Sequence, residues 1–351
     1  MHVLTIIGNR PQFVKLAAVS PLLREHNRET LVHTGQHHDR ELSAVFFEQL
    51  GLPAPDYDLG IAGGSNTEQT SRMLAALEPV ITAEAPDVIL VYGDTNSTLA
   101  GALAGAQLRI PVAHVEAGLR SFDRAMPEEV NRVVCDALAE LLLAPGEGAA
   151  EQLRREGVAG TIAVTGDVMG DVVLGLDVGS SDQVDPFYLV TAHRAANVDD
   201  PERLAKLVDI LVALDLPVVF PVHPRTRARL EETGELARLE AAPNVKLTSP
   251  LDYAATMALA RDARAVLTDS GGLQKEAVWL GTQCVTLRPN TEWVETVDAG
   301  WNTVTDLDLD RVQAALASPP SGEPPRLYNA GSAGTAVVAA LEATFAGIKS
   351  A

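Results

Sequence analysis

Between the apolar run Ala265-Val266-Leu267 and the helical pattern of Leu273, Ala277, Val278 and Leu280 stands the turn Thr268-Asp269-Ser270-Gly271-Gly272. So short and apolar a run reads as a buried parallel strand, with helices covering the sheet. The same unit of strand, polar turn and helix recurs in both halves of the chain. That recurrence restricts the fold to the α/β class. The expectation is two sets of β/α units whose polar strand-end loops face a shared crevice. The Ser-Gly-Gly turn places backbone N–H groups where an anion can be held, and a Cβ there would obstruct a phosphate. Glu276, about a turn into the helix, can accept hydrogen bonds from sugar hydroxyls. Taken alone the segment also fits an ordinary strand-to-helix turn, being neither a Walker loop nor the dinucleotide fingerprint.

With 351 residues, 46% of them apolar, the chain can bury substantial cores and is expected to form two domains. The Gly-, Ser- and Asp-rich stretch 175–185 marks the boundary. Residues 1–175 then form an N-terminal domain, 176–332 a C-terminal domain, and the Ala-rich 333–351 a helix that packs back on the first. A net charge of −20 argues against nucleic acid or an anionic membrane as partner. An anionic substrate would need a local basic pocket. Cys135 and Cys284, in different halves, suggest neither a disulfide framework nor a thiolate zinc site, which favours a reducing compartment. The opening Met1-His2-Val3-Leu4-Thr5-Ile6-Ile7 reads as a strand rather than a signal peptide, and no segment has the apolar length of a membrane span. A cytoplasmic protein is expected.

In the first half, Gly8-Asn9-Arg10-Pro11 turns from strand to helix, putting Arg10 and Lys15 near the ligand side of an open α/β sheet. A surface role suits either equally well. The strand Leu31-Val32-His33 leads into Gln36-His37-His38-Asp39, read as a polar loop rather than a metal site because neighbouring side chains diverge. Val88-Ile89-Leu90-Val91-Tyr92 ends in Gly93-Asp94-Thr95, so Asp94 is either a helix cap or a carboxylate aimed at a ligand. Glu116 ends the next strand. Glu128 and Glu129 open the helix after Pro127, where the helix dipole also favours acids. Carboxylates collected on one rim suit acid–base chemistry, because crowding drives their pKa values apart. In the second half two strands end in histidine with arginine nearby, at His193-Arg194 and His223-Pro224-Arg225, a fit for a diphosphate.

The chain resembles the non-hydrolysing UDP-N-acetylglucosamine 2-epimerases and relatives acting on UDP-2,3-diacetamido-2,3-dideoxy-glucuronate. The resemblance rests on Gly8-Asn9-Arg10-Pro11, Thr34-Gly35-Gln36-His37, Gly93-Asp94-Thr95, His114-Val115-Glu116-Ala117-Gly118-Leu119-Arg120, Pro127-Glu128-Glu129-Val130-Asn131-Arg132, Thr191-Ala192-His193-Arg194 and Thr268-Asp269-Ser270-Gly271-Gly272. It implies two Rossmann-like domains of the GT-B type with a ligand cleft between them, and C2 inversion without NAD or metal. It assigns catalysis to Asp94, Glu116, Glu128, Lys15 and His223. Substrate binding falls to Arg10, Arg120, His193, Ser270, Gly271, Gly272 and Glu276. Gln36, His37 and Arg72 would hold a second UDP-N-acetylglucosamine as activator, and a homodimer is implied. Two departures are visible: Ala196 where glutamate is expected, and Lys275 where many members carry glutamate. With Thr291-Glu292-Trp293-Val294-Glu295, Lys275 resembles the relatives that take diacetamido or uronic-acid UDP-sugars. A retaining glycosyltransferase, the hydrolysing relative and a non-catalytic sugar-nucleotide binder are the competing readings.

Overall fold

A computed structural model describes residues 1–36, 51–176, 179, 183 and 185–347 of the chain. The chain forms two compact units, one of Met1–Val172 with Tyr328–Ala351, the other of Val173–Leu327.

The first unit runs β1 (His2–Ile7), α1 (Arg10–His26), β2 (Arg28–His33), β3 (Tyr57–Asp58), α2 (Asn66–Glu84), β4 (Val88–Tyr92), α3 (Asn96–Leu108), β5 (Val112–Val115), α4 (Pro127–Leu138), β6 (Leu141–Ala144), α5 (Glu147–Glu156) and β7 (Thr161–Val164). Its sheet has the order β3-β2-β1-β4-β5-β6-β7 with every pairing parallel. Alternating side chains divide each strand between two cores, as a pleated strand requires. Val88, Leu90 and Tyr92 join Phe13, Leu16 and Val19 of α1 on one face. Ile89 and Val91 join Met73, Leu77 and Ala100 on the other. The edge strand β3, two residues long, lies in a stretch that sequence periodicity reads as loop, since so short a pairing leaves no alternation to detect.

After α6 (Val168–Gly175) the second unit runs β8 (Tyr188–Thr191), α7 (Ala195–Val198), α8 (Pro201–Ala213), β9 (Val218–Pro221), α9 (Pro224–Thr233), α10 (Glu235–Ala241), β10 (Val245–Thr248), α11 (Tyr253–Asp262), β11 (Ala265–Thr268), α12 (Gly271–Trp279), β12 (Gln283–Thr286), α13 (Val294–Asp298), β13 (Asn302–Val304) and α14 (Leu309–Ala317). Its parallel sheet has the order β10-β9-β8-β11-β12-β13. One face buries Tyr188, Val190, Leu204, Leu207, Phe220 and Leu267 together. The last helix, α15 (Ala333–Phe345), belongs to the first unit and sets Val337, Leu341 and Phe345 in the same core as Phe13 and Leu16. Its N-terminus is held by Asp171, which accepts from the backbone N–H of Gly331 (2.7 Å), Ala333 (3.1 Å) and Gly334 (2.7 Å).

Candidate active site

Both sheets reverse their winding at one place, between β1 and β4 in the first and between β8 and β11 in the second. Open α/β sheets bind ligands outside the carboxyl ends of the strands at such a switch point. The chemistry-bearing side chains of each unit gather there.

In the first unit the gathering is a cluster of opposed charges. Lys15, buried in α1, donates through Nζ to Glu116 Oε2. Burial works against its ammonium charge, but Glu116, Asp94 and Asp167 more than offset this and raise its pKa above the ordinary value. Asp94, just past β4, pairs with Arg132 of α4, while Asn131 Nδ2 donates to its carbonyl at 2.9 Å. Burial pushes the Asp94 carboxyl upward; Arg132 and Lys15 oppose the shift, Glu116 and Glu128 add to it, and the outcome is a raised pKa. Glu116 stands in the left-handed region with φ 72°, a costly place for a residue with a Cβ. At Gly93 (φ 64°) an added Cβ would be strained and would come within 3.2 Å of Lys15 Nζ and 3.3 Å of Glu116 Oε2, so the turn packs closely against the charged pair.

The two glutamates at the start of α4 separate cleanly. Glu129 is buried, and its carboxylate accepts from Ser121 N (2.8 Å), Ser121 Oγ (3.0 Å) and Phe122 N (3.2 Å). It is spent on holding that turn. Glu128 is exposed at the helix start, with its charge felt at Asp94. Gln12, unmarked by sequence reasoning, is buried between the two switch-point strands. It accepts from Gly8 N (2.7 Å) and donates to Tyr92 O (2.8 Å), Thr95 Oγ1 (3.1 Å) and Thr98 Oγ1 (3.0 Å). Its signal in the sequence is only that a polar residue occupies the inner side of a helix.

The other expected site residues of this unit are dispersed. Arg10 is exposed at the first position of α1. Gln36 Oε1 accepts from Ser97 Oγ at 2.7 Å beside the β2 end, whereas Arg72 is bound to the backbone carbonyls of Ala62 and Gly63. His37 lies outside the described residues. Arg120, expected on substrate, has a side chain only 2% exposed and a guanidinium held by Asp136 (2.7 Å) and Glu156 (2.6 Å). As placed it belongs to the framework under the site. A cavity of about 540 Å³ opens among α2, α3 and α4; Asn96 and Asn131 line it, but none of the clustered carboxylates does.

In the second unit, buried Asp269 organises the turn after β8. Its carboxylate accepts from the backbone N–H of His193 (3.1 Å) and Arg194 (3.0 Å) and from Asn197 Nδ2 (3.1 Å). The His193 and His223 rings lie 5.6 Å apart. Burial is the main cause that lowers the His193 pKa, with Arg194 and His223 adding to it and Asp269 opposing. His223 caps α9, its Nδ1 accepting from Arg225 N at 3.2 Å, so the proton of the neutral ring sits on Nε2. Ser270 caps α12, and Gly271 and Gly272 open it. A Cβ at Gly272 would meet nothing closer than the Glu276 carboxylate at 3.9 Å, so no protein atom requires glycine there. The Glu276 Oε1 accepts from Tyr253 OH at 2.9 Å. Lys275, behind this rim, lies 3.6 Å from the centre of the Trp293 ring. Among the described residues no group of three or more His, Cys, Asp or Glu side chains is arranged to hold a metal ion, and no helix is long and apolar enough to cross a membrane.

Comparison with known proteins places these two units in a family. The model of a family described as UDP-N-acetylglucosamine 2-epimerase matches residues 22–342. The UDP-2,3-diacetamido-2,3-dideoxy-D-glucuronate 2-epimerase of Pseudomonas aeruginosa is 47% identical over 326 residues, covering 89% of this chain and 90% of that protein. A UDP-N-acetylglucosamine 2-epimerase homolog of Methanococcus maripaludis is 46% identical over 323 residues, with 89% and 90% covered. The crystal structure of Methanocaldococcus jannaschii UDP-GlcNAc 2-epimerase in complex with UDP-GlcNAc and UDP matches with a TM-score of 0.82 at 39% identity, over 98% of this chain and 100% of that one. Matched along almost its whole length, and built on two parallel Rossmann-like sheets, this chain belongs to the UDP-N-acetylglucosamine 2-epimerase family.

Proposed function

We propose that the chain interconverts UDP-N-acetylglucosamine and UDP-N-acetylmannosamine, or a closely related pair of UDP-2-acetamido sugars, without hydrolysis. The C2 proton of such a sugar is adjacent to no carbonyl and is weakly acidic. A base can remove it only as the anomeric C1–O bond breaks and UDP departs with that electron pair, leaving a C1=C2 double bond. Return of UDP to C1, with a proton delivered to the other face of C2, completes the inversion. The reaction needs two proton-handling groups of unlike strength and a hold on the leaving diphosphate. The observation that carries the reading is the half-buried cluster of Asp94, Glu116 and Arg132 around the buried Lys15. In it the Asp94 pKa is raised while Glu116 is paired to a lysine.

In this reading Asp94 and Glu116 exchange protons with C2, with Glu128 assisting at the rim. Lys15 and Arg10 neutralise developing charge, and the Nε2–H of His223 donates to the departing diphosphate. Ser270, Gly271 and Gly272 take phosphate at the start of α12, where the open side of Gly272 leaves space. Glu276 takes the ribose hydroxyls and His193 supports the diphosphate. A homodimer, cytoplasmic residence and an activating UDP-N-acetylglucosamine near Gln36, His37 and Arg72 complete the proposal. Lys275 against Trp293, together with the similarity to the Pseudomonas enzyme, favours a diacetamido-uronate as the second substrate to try.

The decisive experiment incubates the enzyme with UDP-N-acetylglucosamine in deuterated water and follows C2 by NMR, with and without added activator. UDP-N-acetylmannosamine deuterated at C2 is the expected product. Absence of exchange removes that substrate and passes the test to the diacetamido-uronate. Absence with both removes the epimerase reading in favour of a glycosyltransferase or a binding protein.

A further inference from the structure

One buried carboxylate, met above only as a partner of Arg120, touches the framework on both sides of Glu116. Asp136, on the inner side of α4, is 1% exposed. Its Oδ1 lies 2.7 Å from Nδ1 of His114, two residues before Glu116. Its Oδ2 accepts from the backbone N–H of Gly118 at 3.0 Å, two residues after Glu116, and from Arg120 at 2.7 Å. The contact reaches the neighbouring strand as well. His114 Nε2 lies 2.6 Å from Gly93 O, and since a carbonyl can only accept, that nitrogen carries a proton and donates. The Gly93 N–H donates in turn to Val115 O at 3.0 Å. Gly93, which leads directly into Asp94, is therefore tied to β5 through both its N–H and its C=O.

The strain of Glu116 gives this arrangement its meaning. A non-glycine residue at φ 72° stays there only where its surroundings over-determine it. Here the chain is pinned at residues 114 and 118, and Glu116 N and Ala117 N both donate to Leu143 O (3.0 and 3.2 Å). Gly118 (φ 86°) is itself confined, because a Cβ there would run into the Ala149 carbonyl. We infer that Asp136 and His114 are positioning residues for the epimerisation: Asp136 holds Glu116 in its left-handed conformation, and His114 carries the same restraint to the turn that presents Asp94.

The inference rests on the proposed reaction, so its test separates the two. Asp136→Asn keeps the shape and an acceptor for Gly118 N–H but loses the charge that orders His114 and Arg120. The comparison is Glu156→Gln, which loosens Arg120 at its far end and leaves the Asp136 contacts to His114 and Gly118. Both are assayed for thermal stability, UDP binding, KM and kcat. Asp136→Asn is expected to lower kcat on the order of a hundredfold, as a displacement of about 1 Å can, with KM and UDP binding unchanged. Glu156→Gln is expected to keep the parental kcat. Equal kcat losses in the two variants, or none in Asp136→Asn, would overturn the inference.

His114→Gln and His114→Asn decide the case should Asp136→Asn not fold. Glutamine can return a donor to Gly93 O and should recover part of kcat, whereas asparagine reproduces only the Asp136 side; equal activities would refute the role of His114. A crystal structure of Asp136→Asn gives an answer independent of substrate. Glu116 is expected to leave the left-handed region, and an unmoved Glu116 and Asp94 would end the proposal even if the parent enzyme proved inactive on every sugar tried.

Discussion

Asp94 carries the sharpest consequence at the level of the single residue. If it handles the C2 proton, Asp94→Asn should lower kcat by about 10²- to 10⁴-fold while UDP still binds, checked by deuterium uptake at C2 alongside calorimetric titration with UDP. Its raised pKa also predicts a stability profile. An acid whose folded pKa exceeds its ordinary value holds its proton more tightly folded than unfolded, so its effect on stability is most favourable below the ordinary Asp value. That advantage falls as pH rises from there through the folded value. Urea midpoints measured on both sides of this window should show Asp94→Asn gaining on the parent above it and not below. Asp94 and Glu116 were legible because a carboxylate at most two residues past an apolar run must lie on the strand-end rim. Glu129, Asp136 and Gln12 were not, because each acts inside the protein on backbone that is far from it in sequence or concealed by a turn. For such residues the sequence shows a polar side chain on a helix, and only the fold reveals which peptide group it satisfies. Arg120 shows the converse: its place in a motif is visible, while the two carboxylates that engage it come from α4 and α5.

Helices and strands were the most legible level, since the parallel strands bury both faces and stand out as unbroken apolar runs. The start of α15 shows how tertiary contact supports a pattern. The helix begins at Ala333, where the Ala-rich run begins, and there Asp171 supplies the acceptor for the first N–H groups. That carboxylate is a cap delivered from another helix, invisible to any rule about adjacent residues. Asp171→Ala should cost about 1–2 kcal/mol, read as a lowered urea midpoint, with kcat unchanged because no member of the charged cluster contacts it. A drop in kcat matching that of Asp136→Asn would mean that α15 supports the chemistry as well as the core.

For the molecule as a whole, a net charge of −20 means that like charges oppose the compact state even though many arginines are paired locally. Moving from about 10 mM to about 150 mM NaCl shortens the screening length from about 30 Å to about 8 Å, so the thermal midpoint should rise over that range. A fall would mean that the ion pairs outweigh the general repulsion. The place of α15 has a different consequence, one of time. The apolar surface formed by Phe13 and Leu16 is completed by Val337, Leu341 and Phe345. The ribosome makes the whole of Val173–Leu327 in between. At the usual pace of synthesis that interval is on the order of ten seconds. Throughout it, the first sheet to emerge waits with one flank uncovered, and by its end the unit begun later is the first to have its entire sequence.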